Sequence, residues 1–265
     1  MKRIRFYVNG SKPRARERLA SLVACARAAG LEPVEDGAEA IVALGGDGTI
    51  LRAVREFPGV PVLGLNLGSL GYLSSVGEED CERAIAMLAG GRYRISERTA
   101  LCVRRADGTG RADALNDIAV MREMSGHAAL IDLEVDGKPV TRYTADGLIL
   151  ATPTGSTAYS LSAGGPVLMP DSRSFVVTPI NPHALAVRPI VVGDTARFRI
   201  VSRRRRDGTA ERLGVYADGQ AVLSLGSDEA LEVMRSDRSA RLIELEGYDP
   251  YEVMSRKLGW SGSRI

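Results

Sequence analysis

Leu44-Gly45-Gly46-Asp47-Gly48-Thr49 lies between a short apolar run, Ala40 to Leu44, and a stretch that reads as a helix, Thr49 to Phe57. The glycines therefore fall on a strand-to-helix turn, where phosphates bind. Three glycines in four positions let the backbone approach a ligand without Cβ clashes, and the N–H groups opening the helix point at an anion placed there. Asp47 is the odd member. A carboxylate among phosphate-binding amides repels phosphates unless it accepts a proton or helps hold a metal. The alternative is a plain βα turn with Asp47 as a helix cap. The segment lacks the Lys-Ser/Thr pair of a P-loop and the spacing of the dinucleotide fingerprint.

Upstream, Ile4 to Val8 alternates as a short strand, and Pro13 opens a helical stretch with Leu19, Leu22, Val23 and Ala26 on its apolar face, ended by Gly30. Downstream, Pro58 closes the second helix and Val60 to Leu65 reads as a buried strand. This βαβ rhythm implies an α/β domain with a parallel, Rossmann-like sheet and ligands beyond the carboxyl ends of its strands. Gly64-Leu65-Asn66-Leu67-Gly68-Ser69-Leu70-Gly71-Tyr72-Leu73 is a second Gly-rich loop at that edge. Asn66, Gly68, Gly71 and Tyr72 are awkward for a strand and natural for a ligand-facing loop; Tyr72 either stacks on a base or plugs the domain edge. Glu78 to Leu88 reads as a helix stopped by Gly90-Gly91.

From Tyr93 the pattern changes to short alternating runs, among them Ala100–Val103, Ala114–Met121, Ala129–Val135, Gly147–Ala151, Phe175–Thr178, Arg212–Tyr216 and Arg241–Leu245. Asp107-Gly108, Asp136-Gly137, Asp207-Gly208 and Asp218-Gly219 mark hairpins. The expected division is an α/β domain over residues 1–96 plus 247–265 and an all-β domain over 97–246. Asp249-Pro250 looks like an N-cap and N1 pair, opening a helix through Leu258 that returns to the first domain. Arg203 to Arg206 reads as a solvated hairpin tip.

The chain of 265 residues carries 35 Lys+Arg against 33 Asp+Glu, so its bulk charge of +2 argues for neither nucleic acid nor membrane. Lysine occurs only at Lys2, Lys12, Lys138 and Lys257. No apolar run approaches the roughly 18 residues of a membrane helix, and the N-terminus runs straight into a strand, so a cytoplasmic protein is expected. Cys25, Cys81 and Cys102 are far apart and form no Cys-x-x-Cys pair, which fits buried thiols better than a disulfide framework or a zinc site.

Between residues 152 and 166 hydroxyls crowd at Thr152, Thr154, Ser156, Thr157, Tyr159, Ser160 and Ser162, with small residues between them. A core segment would not carry so many polar groups. Short hydroxyl side chains on a Gly-Pro loop suit a polyhydroxylated ligand, and Tyr159 offers a flat face for a ring.

Gly45-Gly46-Asp47-Gly48-Thr49, then Leu115-Asn116-Asp117, then Asp146-Gly147 and the run from Thr152 to Pro166 resemble, in order and spacing, the signature segments of the NAD kinase family. Pro179-Ile180-Asn181-Pro182-His183, Arg188-Pro189-Ile190 and Lys257-Leu258-Gly259-Trp260 extend the resemblance over nearly the whole chain. It implies phosphoryl transfer from ATP or inorganic polyphosphate to the 2′-hydroxyl of the adenosine ribose of NAD, giving NADP, with a divalent metal such as Mg²⁺ that no residue here is assigned to ligate.

On this resemblance Asp47 looks like the general base, and Gly45, Gly46, Gly48 and Thr49 line the donor phosphate path, with Gly46 and Gly48 also beside NAD. Asn116 and Asp117 look like the pair holding a ribose and an adenine edge, where most relatives carry Asn-Glu; the shorter Asp117 keeps the charge and loses reach. Asp146 resembles the residue on the nicotinamide side, Thr154, Thr157, Ala158 and Tyr159 the dinucleotide pocket, and Tyr72 an aromatic beside the adenine. Asp218 and Gln220 match a loop near the nucleotide, although Asp218-Gly219 is equally a hairpin turn. His183 in its Pro-flanked turn reads as structural. The resemblance also implies a homo-oligomer, dimer or tetramer.

Two other classes use parts of this pattern. A lipid kinase shares the GGDGT turn but would need an apolar or amphipathic surface for the lipid tail, and the chain offers a polar loop instead. A non-catalytic dinucleotide-binding module has little reason to keep Asp47 facing phosphates.

Overall fold

The computed structural model describes residues 1–8, 13–68, 71–74, 76–123, 127–205, 208 and 211–260, which divide into two compact units. The first opens with β1 (Arg3–Val8), α1 (Pro13–Ala28), β2 (Glu32–Pro33), β3 (Ala40–Leu44), α2 (Asp47–Glu56), β4 (Val62–Leu65), α3 (Cys81–Ala89) and β5 (Tyr93–Arg98). The strand pairs β1–β2, β1–β3 and β3–β4 are parallel. All five residues of β3 are buried because helices cover both of its faces, which is why Ala40 to Leu44 is apolar without alternation. Val42 and Leu44 pack with Leu22 and Ala26 of α1 and Ile85 and Leu88 of α3; Ile41 and Ala43 pack with Ile50 and Ala53 of α2.

The second unit holds β6 (Leu101–Arg105), β7 (Ala112–Ala114), β8 (Asp117–Arg122), β9 (Ala129–Val135), β10 (Lys138–Ala145), β11 (Gly147–Ala151), a short helix α4 (Tyr159–Ser162), β12 (Ser174–Ile180), β13 (Ile190–Gly193), β14 (Phe198–Arg203), β15 (Leu213–Ala217), β16 (Gln220–Leu225) and β17 (Ala230–Arg235). Two six-stranded sheets result, β10-β9-β14-β17-β6-β7 and β13-β12-β11-β8-β15-β16, and their strand pairs are antiparallel. Their facing sides form one core, in which Phe175 and Phe198 meet at 6.3 Å between ring centroids. The outer side of the second sheet carries Ala119, Ile149, Ala151 and Val176, and Ala163 and Leu168 lie over them. The hydroxyl-rich run is thus spread over a sheet face.

Strand β18 (Ala240–Leu245) and helix α5 (Pro250–Leu258) belong to the first unit. Expected in the all-β domain, β18 instead inserts between β4 and β5, pairing parallel with β4, so the chain re-enters the first unit at 240 rather than 247. Short apolar strands look alike in either sheet type, which is why its partner was not legible. Asp249 caps α5, its Oδ1 accepting from the Tyr251 N–H at 2.8 Å, with Pro250 inside the first turn.

Strand β10 was missed from sequence because it is an edge strand: only Tyr143 and Ala145 are buried, and a bulge follows Pro139, which cannot donate to a ladder. The Asp136-Gly137 and Asp218-Gly219 hairpins have positive φ at both residues, as the Asp-Gly signal predicts. Arg203, expected at a solvated tip, lies in β14 paired with Asp132 at 2.7 Å; Arg206 and Asp207 lie outside the described residues.

Candidate functional site

In the first unit the two glycine loops are joined by one carboxylate. Helix α2 begins at Asp47 behind Gly46, an extended N-cap with no side-chain cap. Asp47 turns to the second loop: its Oδ2 accepts from the Tyr72 N–H at 2.8 Å, and its Oδ1 from the N–H groups of Leu73 and Ser74 and the Ser74 hydroxyl at 3.1–3.2 Å. Such proximity needs Gly71, because a Cβ there would lie 1.8 Å from Asp47 Oδ1. Around Gly46 and Gly48 a Cβ would meet nothing within 4 Å, so these two glycines edge open space at the helix N-terminus.

Thr49, expected beside them, is only 2% exposed and backs onto Gly45, whose Cβ would lie 2.3 Å from Thr49 Oγ1. It braces the turn from behind instead of facing the open side. Asn66 is likewise not ligand-facing: it is buried and its amide donates to Ser74 Oγ at 3.0 Å. Tyr72 is half-buried with Lys257 Nζ 5.6 Å from its ring centroid, and burial, with the Asp47 charge adding, raises its phenol above the usual range.

In the second unit a second aspartate does related work. Asp218, at φ +47° in the β15–β16 turn, accepts from the N–H groups of Leu115 at 3.0 Å, Asn116 at 2.7 Å and Asp117 at 3.4 Å. This capture breaks the run expected as a single strand, Ala114–Met121, into β7 and β8, and leaves Asn116 half-exposed at the break. Segment 152–157 closes on the same place: Thr152 Oγ1 donates to the Leu115 carbonyl at 2.6 Å, the Thr152 N–H to the Asn116 carbonyl at 2.9 Å, and a Cβ on Gly155 would lie 1.9 Å from that oxygen. Asn116, Asp117, Asp218 and Thr152 to Thr157 therefore come together; exposed Gln220 is two residues from Asp218.

The hydroxyl run resolves into two sets. Thr152, Ser156 and Ser160 are fully buried and hydrogen-bond within the unit: Ser156 Oγ donates to the Pro153 carbonyl at 2.7 Å and accepts from the Leu168 N–H at 2.9 Å, and Ser160 pairs with Thr178 at 2.8 Å. These hydroxyls build the loop. Thr157 and Ala158 are half-buried and Tyr159 is 39% exposed; Thr157 Oγ1 donates to the Thr154 carbonyl at 3.2 Å and the Tyr159 hydroxyl to Met121 Sδ at 3.4 Å. Asp146 is tied to Arg122 at 2.9 Å and to the Asn181 amide at 3.0 Å, two partners that sequence reasoning missed because they come from neighbouring strands. His183 is exposed, and its N–H donates to the Thr144 carbonyl.

Asp117 is 5% exposed, and no hydrogen bond to its carboxylate is found among the described residues. Burial, with the negative charge of Asp218 adding, pushes its carboxyl up to about 7. Among the described residues no cluster of three His, Cys, Asp or Glu side chains could cage a metal ion. No helix of the described residues is long and apolar enough to cross a membrane.

The family described as ATP-NAD kinase N-terminal domain matches residues 1–93, and ATP-NAD kinase C-terminal domain matches residues 115–245. The chain belongs to the NAD kinase family. Among curated NAD kinases, that of Moorella thermoacetica is 38% identical over 100% of this chain and 91% of its own, and that of Syntrophotalea carbinolica 40% identical over 83% and 78%. The crystal structure of yeast NADH kinase complexed with NADH superposes with a TM-score of 0.88 at 25% identity, covering 100% of this chain and 89% of that one. The structure of an NAD kinase from Archaeoglobus fulgidus in complex with ATP gives 0.78 at 25% identity, covering 98% and 99%. As an NAD kinase the chain is a phosphotransferase.

Two predictions follow from these geometries. Gly71→Ala should destabilise the protein by on the order of 1–3 kcal/mol in denaturant unfolding, because the Asp47 clamp cannot close, whereas Gly46→Ala should leave stability within about 1 kcal/mol. Asp117 holds its proton more tightly folded than unfolded, so its contribution to stability is full below pH ~4 and is lost as pH rises through about 7. Asp117→Asn should therefore gain stability relative to wild type between about pH 5 and 8, by a few kcal/mol at most; a difference that is flat with pH would contradict the assignment.

Proposed function

We propose that the chain transfers the terminal phosphoryl group of ATP to the 2′-hydroxyl of the adenosine ribose of NAD, with Asp47 as the general base. The observation that carries this reading is the pairing, at the start of α2, of a carboxylate with two glycines edging open space. Phosphoryl transfer asks chiefly for alignment and charge neutralisation, and amides, a helix N-terminus and one basic oxygen supply most of that. The structural relatives complexed with NADH and with ATP support the same pair of ligand classes.

In this reading the Gly45, Gly46 and Gly48 backbone receives the donor phosphates. Asn116 and Asp117 hold the adenosine ribose and an adenine edge, with Asp218 fixing their backbone and Gln220 at its rim. Thr154, Thr157, Ala158 and Tyr159 line the dinucleotide's path, Tyr72 flanks the adenine, and Asp146, oriented by Arg122 and Asn181, meets the nicotinamide side. A divalent metal fits as a companion of the donor's phosphates, where Mg²⁺ commonly keeps most of its waters and few protein ligands, and it would neutralise charge as the phosphoryl group moves. A dimer or tetramer and a cytoplasmic location accompany this reading.

A product assay with Mg²⁺ and NAD, run with ATP and in parallel with polyphosphate, and repeated with NADH, tests it. Wild type should form NADP with at least one donor; Asp47→Asn should bind NAD and lose roughly 10²- to 10⁴-fold in turnover, the usual worth of a general base. Absence of NADP with either donor, or full turnover by Asp47→Asn, would overturn it.

A further inference from the structure

We propose that Ser74, oriented by Asn66, is a positioning residue that helps hold the Asp47 carboxylate with Oδ2 turned to take the proton; this rests on the reading of Asp47 as the base. Asn66 and Ser74 are 2% and 0% exposed, and neither has a part in the scheme above. They form a chain that ends on the carboxylate. The Gly68 N–H donates to Asn66 Oδ1 at 3.0 Å, Asn66 Nδ2 donates to Ser74 Oγ at 3.0 Å, and Ser74 Oγ donates to Asp47 Oδ1 at 3.1 Å.

Each link has only one possible direction. A backbone N–H can only donate, so the amide oxygen of Asn66 faces Gly68 and its NH₂ faces Ser74. The Ser74 hydroxyl accepts from that NH₂ and keeps its own proton for Asp47, because an ionised carboxylate only accepts. Burial strengthens the chain and makes a broken link costly.

The consequence is an asymmetry between the two oxygens. Among the described residues Oδ1 receives three donors, the Ser74 hydroxyl and the Leu73 and Ser74 N–H groups, whereas Oδ2 receives only the Tyr72 N–H. With about two lone pairs on each oxygen, Oδ1 is saturated and Oδ2 keeps one lone pair. Oδ2 then accepts the proton of the ribose hydroxyl while the hydroxyl oxygen forms its bond to the terminal phosphorus. The bridging P–O bond breaks with its electron pair leaving on ADP. Without the Ser74 hydroxyl the three backbone N–H groups still hold the carboxylate, but Oδ1 loses its side-chain donor and Oδ2 is aimed less firmly.

A residue that merely braces the loop would depress activity whether or not Asp47 is a base, so the test compares two backgrounds. Steady-state kinetics and thermal unfolding are measured for Ser74→Ala, Asn66→Ala and their double variant, and for Ser74→Ala combined with Asp47→Asn. Ser74→Ala should lower kcat roughly 10- to 100-fold with KM for NAD changed less than about threefold. Adding Asn66→Ala to it should cost nothing further, since both act through one hydroxyl. In the Asp47→Asn background, Ser74→Ala should leave the residual rate unchanged.

An equal loss in both backgrounds, or a rise in KM at constant kcat, would overturn the positioning role while leaving Asp47 as base. Asp47→Asn with wild-type kcat would remove the base reading and the proposal with it. Should Ser74→Ala fail to fold, Asn66→Ala in the same two backgrounds makes the comparison.

Discussion

One carboxylate closing on three consecutive backbone N–H groups fixes how the two glycine loops of the first unit meet. Asp47 stands at the first position of α2, where the helix leaves amides without internal partners and favours a negative charge. Instead of capping its own helix it reaches Tyr72, Leu73 and Ser74, and so ties the loop after β4 to the turn after β3. Hydrogen bonds to a charged acceptor contribute about 1.5–3 kcal/mol each where they are shielded from water. That coupling sets demands on glycine of two kinds. Gly71 exists because the carboxylate lies where its Cβ would be, while Gly46 and Gly48 are bare toward open space.

The second unit repeats the device. Asp218 gathers the amides of Leu115, Asn116 and Asp117, ending β7 and starting β8 at the place where the hydroxyl-rich segment also arrives. Gly155 and Thr152 complete the join by packing on the backbone of Asn116 and Leu115. The cost falls on Asp117, buried next to a second negative charge and holding its proton to near neutral pH. A carboxyl in that condition can donate a hydrogen bond as well as accept one.

Much of the architecture was legible in the residues. The five-residue apolar run before the glycine turn, the helix beyond it and the Asp136-Gly137 and Asp218-Gly219 hairpins lie where their local chemistry puts them. Local signals failed where partners were remote in sequence. Nothing within Arg241–Leu245 says that it pairs with Val62–Leu65, and nothing near Asp146 announces Arg122 and Asn181. The density of hydroxyls has in part another reason than a ligand: Thr152, Ser156 and Ser160 hydrogen-bond within the unit, and Thr49 and Asn66 face inward. A short polar side chain beside glycine satisfies a buried amide as readily as a ligand, and sequence alone does not separate the two.

Amide hydrogen exchange at Tyr72, Leu73 and Ser74 measures the Asp47 clamp most directly. In the wild-type protein these three amides should be protected well beyond neighbouring exposed loop amides, and Asp47→Ala should abolish that protection while leaving the amides of β3 and β4 slow. Equal protection in the two proteins would show that the loop is held by other means, and the account of Asp47 as the group that joins the two loops would be wrong.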